Sequence, residues 1–380
     1  MEPLFDDLSA LVAFPTVSNR PVTELAGFVA QRLEDLGFSV ELVPSPTLPD
    51  KFNLVATAGP RDTDGLVLSG HMDVVPTEGQ PWTSDPFRVT ERDGRLYGRG
   101  TADMKGFLAA TLAALRQVPV RRLQRELTLI WTHDEEVGCL GSAQLAEILR
   151  ARGRTLPRAC LIGEPTDFRV LRMHPGHVTF QVEVKGEAAH SSRPDLGRNA
   201  IETAADAIVS LRRFAAELRH ERDEALPMSA PWVPMNTGCV HGGSAVNIVP
   251  DTCTIEVGYR PLPGMDAHAV FHRAKERLLH DLSGCPCEVH VRPGRATPAL
   301  LTPAGTELAA LLAPHAEPGE QAAPFATDGG NLARLDALPL IFGPGSIDVA
   351  HKADEYVSAD ALRRTVPMLT DVVTRRCLAR

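Results

Sequence analysis

The chain has 380 residues, 43% of them hydrophobic and 23% charged, with a formal net charge of -9. That length supports a large buried core and more than one domain. Acidic and basic residues are interspersed, which excludes a nucleic-acid arm; the cluster Arg121, Arg122 and Arg125 beside Glu126 reads as a solvated helix end. Residues 1–10 carry Asp6 and Asp7 and no long apolar run, so they do not read as a secretory leader. No stretch reaches the length of a membrane span. Seven widely spread cysteines, an odd number, predict reduced thiols in a cytoplasmic protein. Cys285-Pro286-Cys287 has no second pair and no neighbouring histidine, and reads as plain thiols.

The first amphipathic pattern falls at 23–38, with Leu25, Phe28, Val29, Leu33 and Leu36 on one face and Gly37 near its end. Short apolar runs follow at 66–68, 127–131 and 160–162, with helical stretches at 106–118 and 141–151. That alternation predicts an α/β domain with a mixed, largely parallel sheet. From Gly176 the pattern changes: Val178, Phe180, Val182 and Val184 alternate with polar residues, as in a strand with one wet face. A helix at 198–222, a strand at 254–259, a helix at 267–282 and a strand at 288–291 follow. These define a smaller α+β unit of the strand–helix–strand–strand–helix–strand, ferredoxin-like kind. After 298 a helix at 305–313, a buried strand at 338–342 and a helix at 359–376 restore the α/β pattern. The expected layout is a discontinuous catalytic domain, 1–175 and 293–380, with a second domain inserted at 176–292.

Acidic and imidazole groups recur just past the expected strands. His71-Met72-Asp73 follows the 66–69 run, Glu135 and Glu136 follow 127–132, Glu164 follows 159–162, and His351 lies beyond 338–342. Asp103 sits in a tight turn before a helix. In open α/β sheets the carboxyl ends of strands form the binding crevice. Asp103, Glu135, Glu136 and Glu164 would sum to -4 if ionised together, and would repel one another without compensation. Two divalent cations cancel that charge, with His71 and His351 as neutral ligands. Oxygen and nitrogen donors suit Zn²⁺, Co²⁺ or Mn²⁺. Glu135 and Glu136 are neighbours and point in different directions. One can bind metal while the other serves as a hydrolytic general base.

The segments Gly70-His71-Met72-Asp73-Val74-Val75-Pro76, the run 97–106, Asp134-Glu135-Glu136 and Gly163-Glu164-Pro165-Thr166 resemble the dinuclear-zinc aminoacylase and carboxypeptidase family. Ala189-His190-Ser191-Ser192-Arg193-Pro194 and Gly197-Arg198-Asn199-Ala200-Ile201 look like the start of that family's lid and dimerisation domain. Within the family, Lys51-Phe52-Asn53-Leu54, His241-Gly242-Gly243, the run 260–265, Gly343-Pro344-Gly345-Ser346 and the run 351–356 resemble the acetylornithine deacetylases.

The resemblance implies roles by position. Asp103 would bridge two metal ions, zinc first, with a cis peptide to Met104. His71 and Glu164 would complete one ion, Glu136 and His351 the other. Asp73 would hydrogen-bond and orient His71. Glu135 would be the base. His190 would stabilise the oxyanion, reaching across a homodimer. Asn247 and Arg260 would hold the substrate carboxylate. The activity implied is hydrolysis of N2-acetyl-L-ornithine, a small N-acyl amino acid, to ornithine and acetate in arginine biosynthesis. A succinyl-diaminopimelate desuccinylase, an acetylcitrulline or acetyl-lysine deacetylase and a dipeptidase share many of the segments. A non-catalytic metal-dependent binding protein would not need Glu135. The loop Ala326-Thr327-Asp328-Gly329-Gly330 departs from the nearest deacetylases, and Asp328 is a candidate for the substrate's side-chain amine. His133, His174 and His177 read as structural.

Overall fold

The computed structural model describes residues 2–18, 20–319 and 321–378. The chain divides into two compact units. One comprises the residues up to Met173, Leu301–Ala323 and those from Thr327 onward; the other is His174–Leu300 with Pro324–Ala326. The expected edge at 292/293 falls inside a strand, Glu288–Thr297, because that strand stays paired with His177–Lys185 well beyond residue 291.

The larger unit is built on a six-stranded sheet. Its spatial order is Ser39–Pro44, Phe52–Ala58, Leu127–Thr132, Leu66–His71, Ala159–Ile162 and Leu338–Ile341. The last four are mutually parallel, and Phe52–Ala58 joins them antiparallel. Leu66–His71 and Leu127–Thr132 are buried along their whole length, as expected of parallel strands covered on both faces. On one face the helices Pro3–Val12, Lys105–Leu115 and Ala359–Val373 pack into one core with Trp131 and Phe107. On the other, Leu140–Ala151 packs over Val67, Ile130 and Ile162.

Two features escape apolar periodicity. Ser39–Pro44 is a half-exposed edge strand in which Val40, Leu42 and Val43 are interrupted by Glu41, so it forms no continuous buried run. Glu126, beside the exposed Arg121 and Arg122, is buried and paired with Arg154 rather than solvated. The final helix stops at Val373 and passes into a wider turn, Thr374–Leu378, short of the expected reach to 376 as a regular helix.

The smaller unit is a four-stranded antiparallel sheet in the order Met235–Gly242, Thr252–Tyr259, His177–Lys185, Glu288–Thr297. Helices Ala200–Leu218 and Ala269–Asp281 cover the face that carries Val178, Phe180, Val182, Ile255 and Val257. Asn199 caps the first helix by accepting from the backbone N–H groups of Ile201 and Glu202. The edge strand Met235–Gly242 is largely exposed, which is why alternation does not reveal it. Among the described residues no helix is long and apolar enough to cross a membrane.

Candidate metal centre

The strands Leu66–His71, Leu127–Thr132 and Ala159–Ile162 are parallel neighbours, so their carboxyl ends open on the same side. His71 ends the first, Glu135 and Glu136 follow the second, and Glu164 lies two residues past the third. Gly163 precedes Glu164 where a Cβ would fall 2.0 Å from the Phe107 ring, so the chain passes flush against that aromatic. Asp103 sits in the turn before Lys105–Leu115, with a cis bond to Met104. The buried Lys105 ammonium donates to the carbonyls of Leu11 and Phe14, which anchors the turn to the end of the first helix.

Asp103 divides the cluster in two. Its Oδ1 lies 3.0 Å from His71 Nε2, which is itself 3.9 Å from Glu164. Its Oδ2 lies 3.1 Å from His351 Nε2, which is 2.8 Å from Glu136. Each carboxylate oxygen of Asp103 therefore faces a different histidine and a different glutamate. His71, Asp103 and Glu136 offer donor atoms within 4.8 Å of one another, and so do His71, Glu135 and Glu164.

The ring of His71 is fixed from behind, since its Nδ1 lies 2.9 Å from the Asp73 main-chain carbonyl. Here the structure differs from the expected role of Asp73. Its carboxylate is 3.6 Å from His71 and instead accepts from the backbone N–H groups of Glu135 and Glu136 and from the Ser18 hydroxyl. Asp73 thus orients His71 through its carbonyl and the Glu135–Glu136 loop through its side chain. Lys51, which is buried, holds the same loop by donating to Asp134 at 2.6 Å. His133 is fully buried beside them, its Nδ1 3.1 Å from Asp134.

A second framework ties Asp103 to His351. Glu355 Oε1 accepts from the backbone N–H groups of Ala102 and Asp103, and its Oε2 accepts from Arg99 at 2.6 Å. Arg99 also donates to Gln80, whose amide donates to the His351 carbonyl. His351 has φ +63°, a left-handed conformation that needs such support in a residue with a side chain.

Charge shows what the cluster lacks. Burial pushes the Glu135 and Glu164 carboxyls well up, and raises Glu136 to about 7. Hydrogen bonds to Asp103 and Glu136 hold His351 up at about 10. Burial alone would lower His71, but its bond to Asp103 and the charges of Glu164, Asp103 and Asp73 raise it well above the usual value. With Nδ1 donating to a carbonyl, His71 Nε2 can face a carboxylate only if a second cationic partner, a proton or a metal ion, lies between. Glu136 Oε1 is buried with no hydrogen-bond partner. These donors fit two divalent ions: two imidazoles, a two-faced aspartate and a glutamate for each side.

The other residues expected to act on substrate, His190, Asn247 and Arg260, lie in the smaller unit. His190 pairs with Ile248 in a two-residue ladder, and the Ser191 N–H donates to the Asn247 carbonyl, so His190 and Asn247 are neighbours. The Ser192 N–H donates to His190 Nδ1 at 3.1 Å, which leaves the ring proton of a neutral His190 on Nε2. Both residues are exposed. Arg260 is half-buried at the opposite end of Thr252–Tyr259, and none of the described acidic residues forms an ion pair with it. That strand has eight residues, a span of about 26 Å at about 3.3 Å per residue. Within one copy, Asn247 and Arg260 therefore do not meet on one carboxylate.

The family model described as Peptidase family M20/M25/M40 matches residues 67–375. The chain belongs to this family, and is thus a metal-dependent hydrolase of the peptidase or amidohydrolase type. Among solved structures, a tripeptidase from Staphylococcus aureus superposes with a TM-score of 0.76 at 20% identity, over 98% of each chain. An M20 family metallo-carboxypeptidase from Sulfolobus solfataricus gives 0.76 at 19% identity, over 98% of this chain and 99% of its own. A dinuclear metal binding peptidase of the M20 family from Bacillus subtilis gives 0.70 at 15% identity, over 98% and 97%. At these identities the likeness establishes the fold: a mixed, largely parallel sheet in one unit and an α+β second unit.

Proposed function

We propose that this enzyme hydrolyses the amide of a small N-acyl amino acid, with N2-acetyl-L-ornithine as the first candidate. The observation that carries the reading is the division of Asp103 between two histidine–glutamate pairs, with Glu135 beside them and its backbone held by Asp73. When bound, two divalent ions, zinc first and cobalt or manganese as alternatives, would supply the Lewis acidity that makes water nucleophilic at neutral pH and polarises the acyl carbonyl. His71, Asp103 and Glu164 would hold one ion, and Asp103, Glu136 and His351 the other. Glu135 takes the proton of the attacking water and returns it to the departing amine, so that amide and water become carboxylate and ammonium. His190, with its proton on Nε2, donates to the oxygen that gains charge. Arg260 pairs with the substrate carboxylate.

Because Arg260 and the His190–Asn247 pair lie at opposite ends of one strand, we assign them to different copies. A homodimer would supply Arg260 from one chain and His190 with Asn247 from the other.

The test is release of free amine from N-acetyl-L-ornithine with added Zn²⁺ or Co²⁺ and a chelator control. Fast turnover that the chelator stops supports the reading. A panel of N-succinyl-diaminopimelate, N-acetylcitrulline, N-acetyl-lysine, dipeptides and tripeptides separates the related activities, the tripeptides being included because of the Staphylococcus relative. Two bound ions with no turnover of any panel member would overturn it.

A further inference from the structure

We propose that Glu135, Cys139 and Asp328 form a third site, for a thiophilic divalent cation such as Zn²⁺, and that filling it inhibits the enzyme. The inhibitory part rests on the reading of Glu135 as the base. The three residues come from separate segments. Glu135 follows the strand Leu127–Thr132, Cys139 caps the start of helix Leu140–Ala151 with φ +55°, and Asp328 precedes the turn Gly329–Leu332. One donor atom from each lies within 4.8 Å of the others, and Cys139 Sγ is 3.3 Å from Glu135 Oε1.

Asp328 is the independent sign of a missing partner. It is 2% exposed. Its Oδ2 accepts from the Thr132 hydroxyl at 2.5 Å; the Ser142 hydroxyl lies beside the carboxylate but donates to the Cys139 carbonyl, and Oδ1 is buried without a well-formed hydrogen bond. None of the described Lys or Arg residues forms an ion pair with Glu135 or Asp328. A buried carboxylate oxygen without a partner is costly, and Asp328 lies outside both the five residues assigned to the two-ion centre and the charge that two ions would cancel.

The thiol selects the cation. Thiolate with carboxylate donors suits Zn²⁺ and Co²⁺ and is a poor match for Mg²⁺ or Ca²⁺. Bonds of about 2.0–2.3 Å put tetrahedral donors roughly 3.3–3.8 Å apart; the Cys139–Glu135 pair is already at 3.3 Å, and all three donors lie within 4.8 Å. Burial and the neighbouring Glu135 charge push the Cys139 thiol well up, so it stays protonated until a cation displaces the proton to solvent. A Glu135 carboxylate engaged by that cation cannot accept the proton of the attacking water. The two-ion centre then remains loaded but idle, and excess zinc inhibits where excess magnesium does not.

The experiment titrates the full-length protein, already loaded with two equivalents, with further Co²⁺. A third equivalent should appear with a near-ultraviolet thiolate-to-cobalt charge-transfer band. At saturating Zn²⁺ turnover should fall about 10³–10⁴-fold, the same scale as removing the Glu135 base. Cys139→Ser should lose the band and the third equivalent, and its activity ratio at excess against stoichiometric zinc should stay near one. Asp328→Asn, a second probe should the serine variant misfold, should need about tenfold more cobalt for the band. Absence of band and third equivalent in the native protein overturns the site, as does a band that persists in Cys139→Ser. A band without inhibition overturns the inhibitory role. Since band and stoichiometry are read without substrate, they decide the site even if the proposed amide hydrolysis fails.

Discussion

His71 and His190 are both assigned to the reaction, yet their surroundings differ. His71 is 1% exposed, with one ring nitrogen beside a main-chain carbonyl and the other beside Asp103. His190 is exposed, on a two-residue ladder, with Ser192 as its partner. The contrast extends to their regions. The strand-end loops of the larger unit are held by buried bonds from Asp73, Lys51, Arg99 and Glu355, so the chain's own framework positions the donors. In the smaller unit the groups assigned to substrate lie at opposite ends of one strand, and a single copy leaves His190 and Asn247 in solvent. One half of the chemistry is preorganised within the chain; the other is an open surface.

Mutations that respect this contrast should separate the two regions. The largest effect is expected from Glu135→Gln, which should lower kcat by about 10³–10⁴-fold while both ions stay bound; near-normal turnover at full metal content would break the assignment of the base. His190→Ala should lower kcat by about 10²–10³-fold without altering metal stoichiometry. The two variants also sharpen the contrast. If His190 acts on the neighbouring copy, mixing dissociated Glu135→Gln and His190→Ala chains should restore activity, because one site of the mixed dimer has both groups intact. No recovery on mixing would place His190 in the same chain as the base it serves.

Arg260→Ala should reduce kcat/KM by about 10–100-fold, the scale of a lost charged hydrogen bond, with metal content unchanged. Glu355→Gln should act on the other region, weakening ion affinity by about 10–100-fold in a chelator competition; unchanged affinity would mean the turn keeps its shape without that carboxylate. The smallest change is expected from Glu41→Ala. Its partner Arg152 is half exposed, so loss of the pair should shift unfolding stability by no more than about 1 kcal/mol in a denaturant titration.

The parallel strands were legible because burial on both faces makes them continuous apolar runs, and His71, Glu136, Glu164 and His351 because each lies beyond such a run; Asp103 stands apart, in a turn before a helix. The half-exposed strand Ser39–Pro44 and the exposed edge Met235–Gly242 carry no comparable signal. Side-chain roles were legible only as far as residue type determines them. Asp73 belongs beside His71, but whether its carbonyl or its carboxylate meets the ring depends on the path of the Glu135–Glu136 backbone, which letters do not show. Cys139 and Asp328 are far apart in sequence, and only the crossing of their segments above Thr132 brings them together. The distance between Asn247 and Arg260 follows from strand length, and could have been read once Thr252–Tyr259 was recognised as one uninterrupted strand.

The close passage of Gly163 over Phe107 has an evolutionary consequence. Any side chain at 163 collides with the ring, and a smaller residue at 107 alone leaves a void in the large core. Each change is harmful singly, yet the two together exchange one filled volume for another. Residues 163 and 107 should therefore drift as a pair or not at all, and a lineage would reach the double variant only through an intermediate with a damaged core or a displaced Glu164.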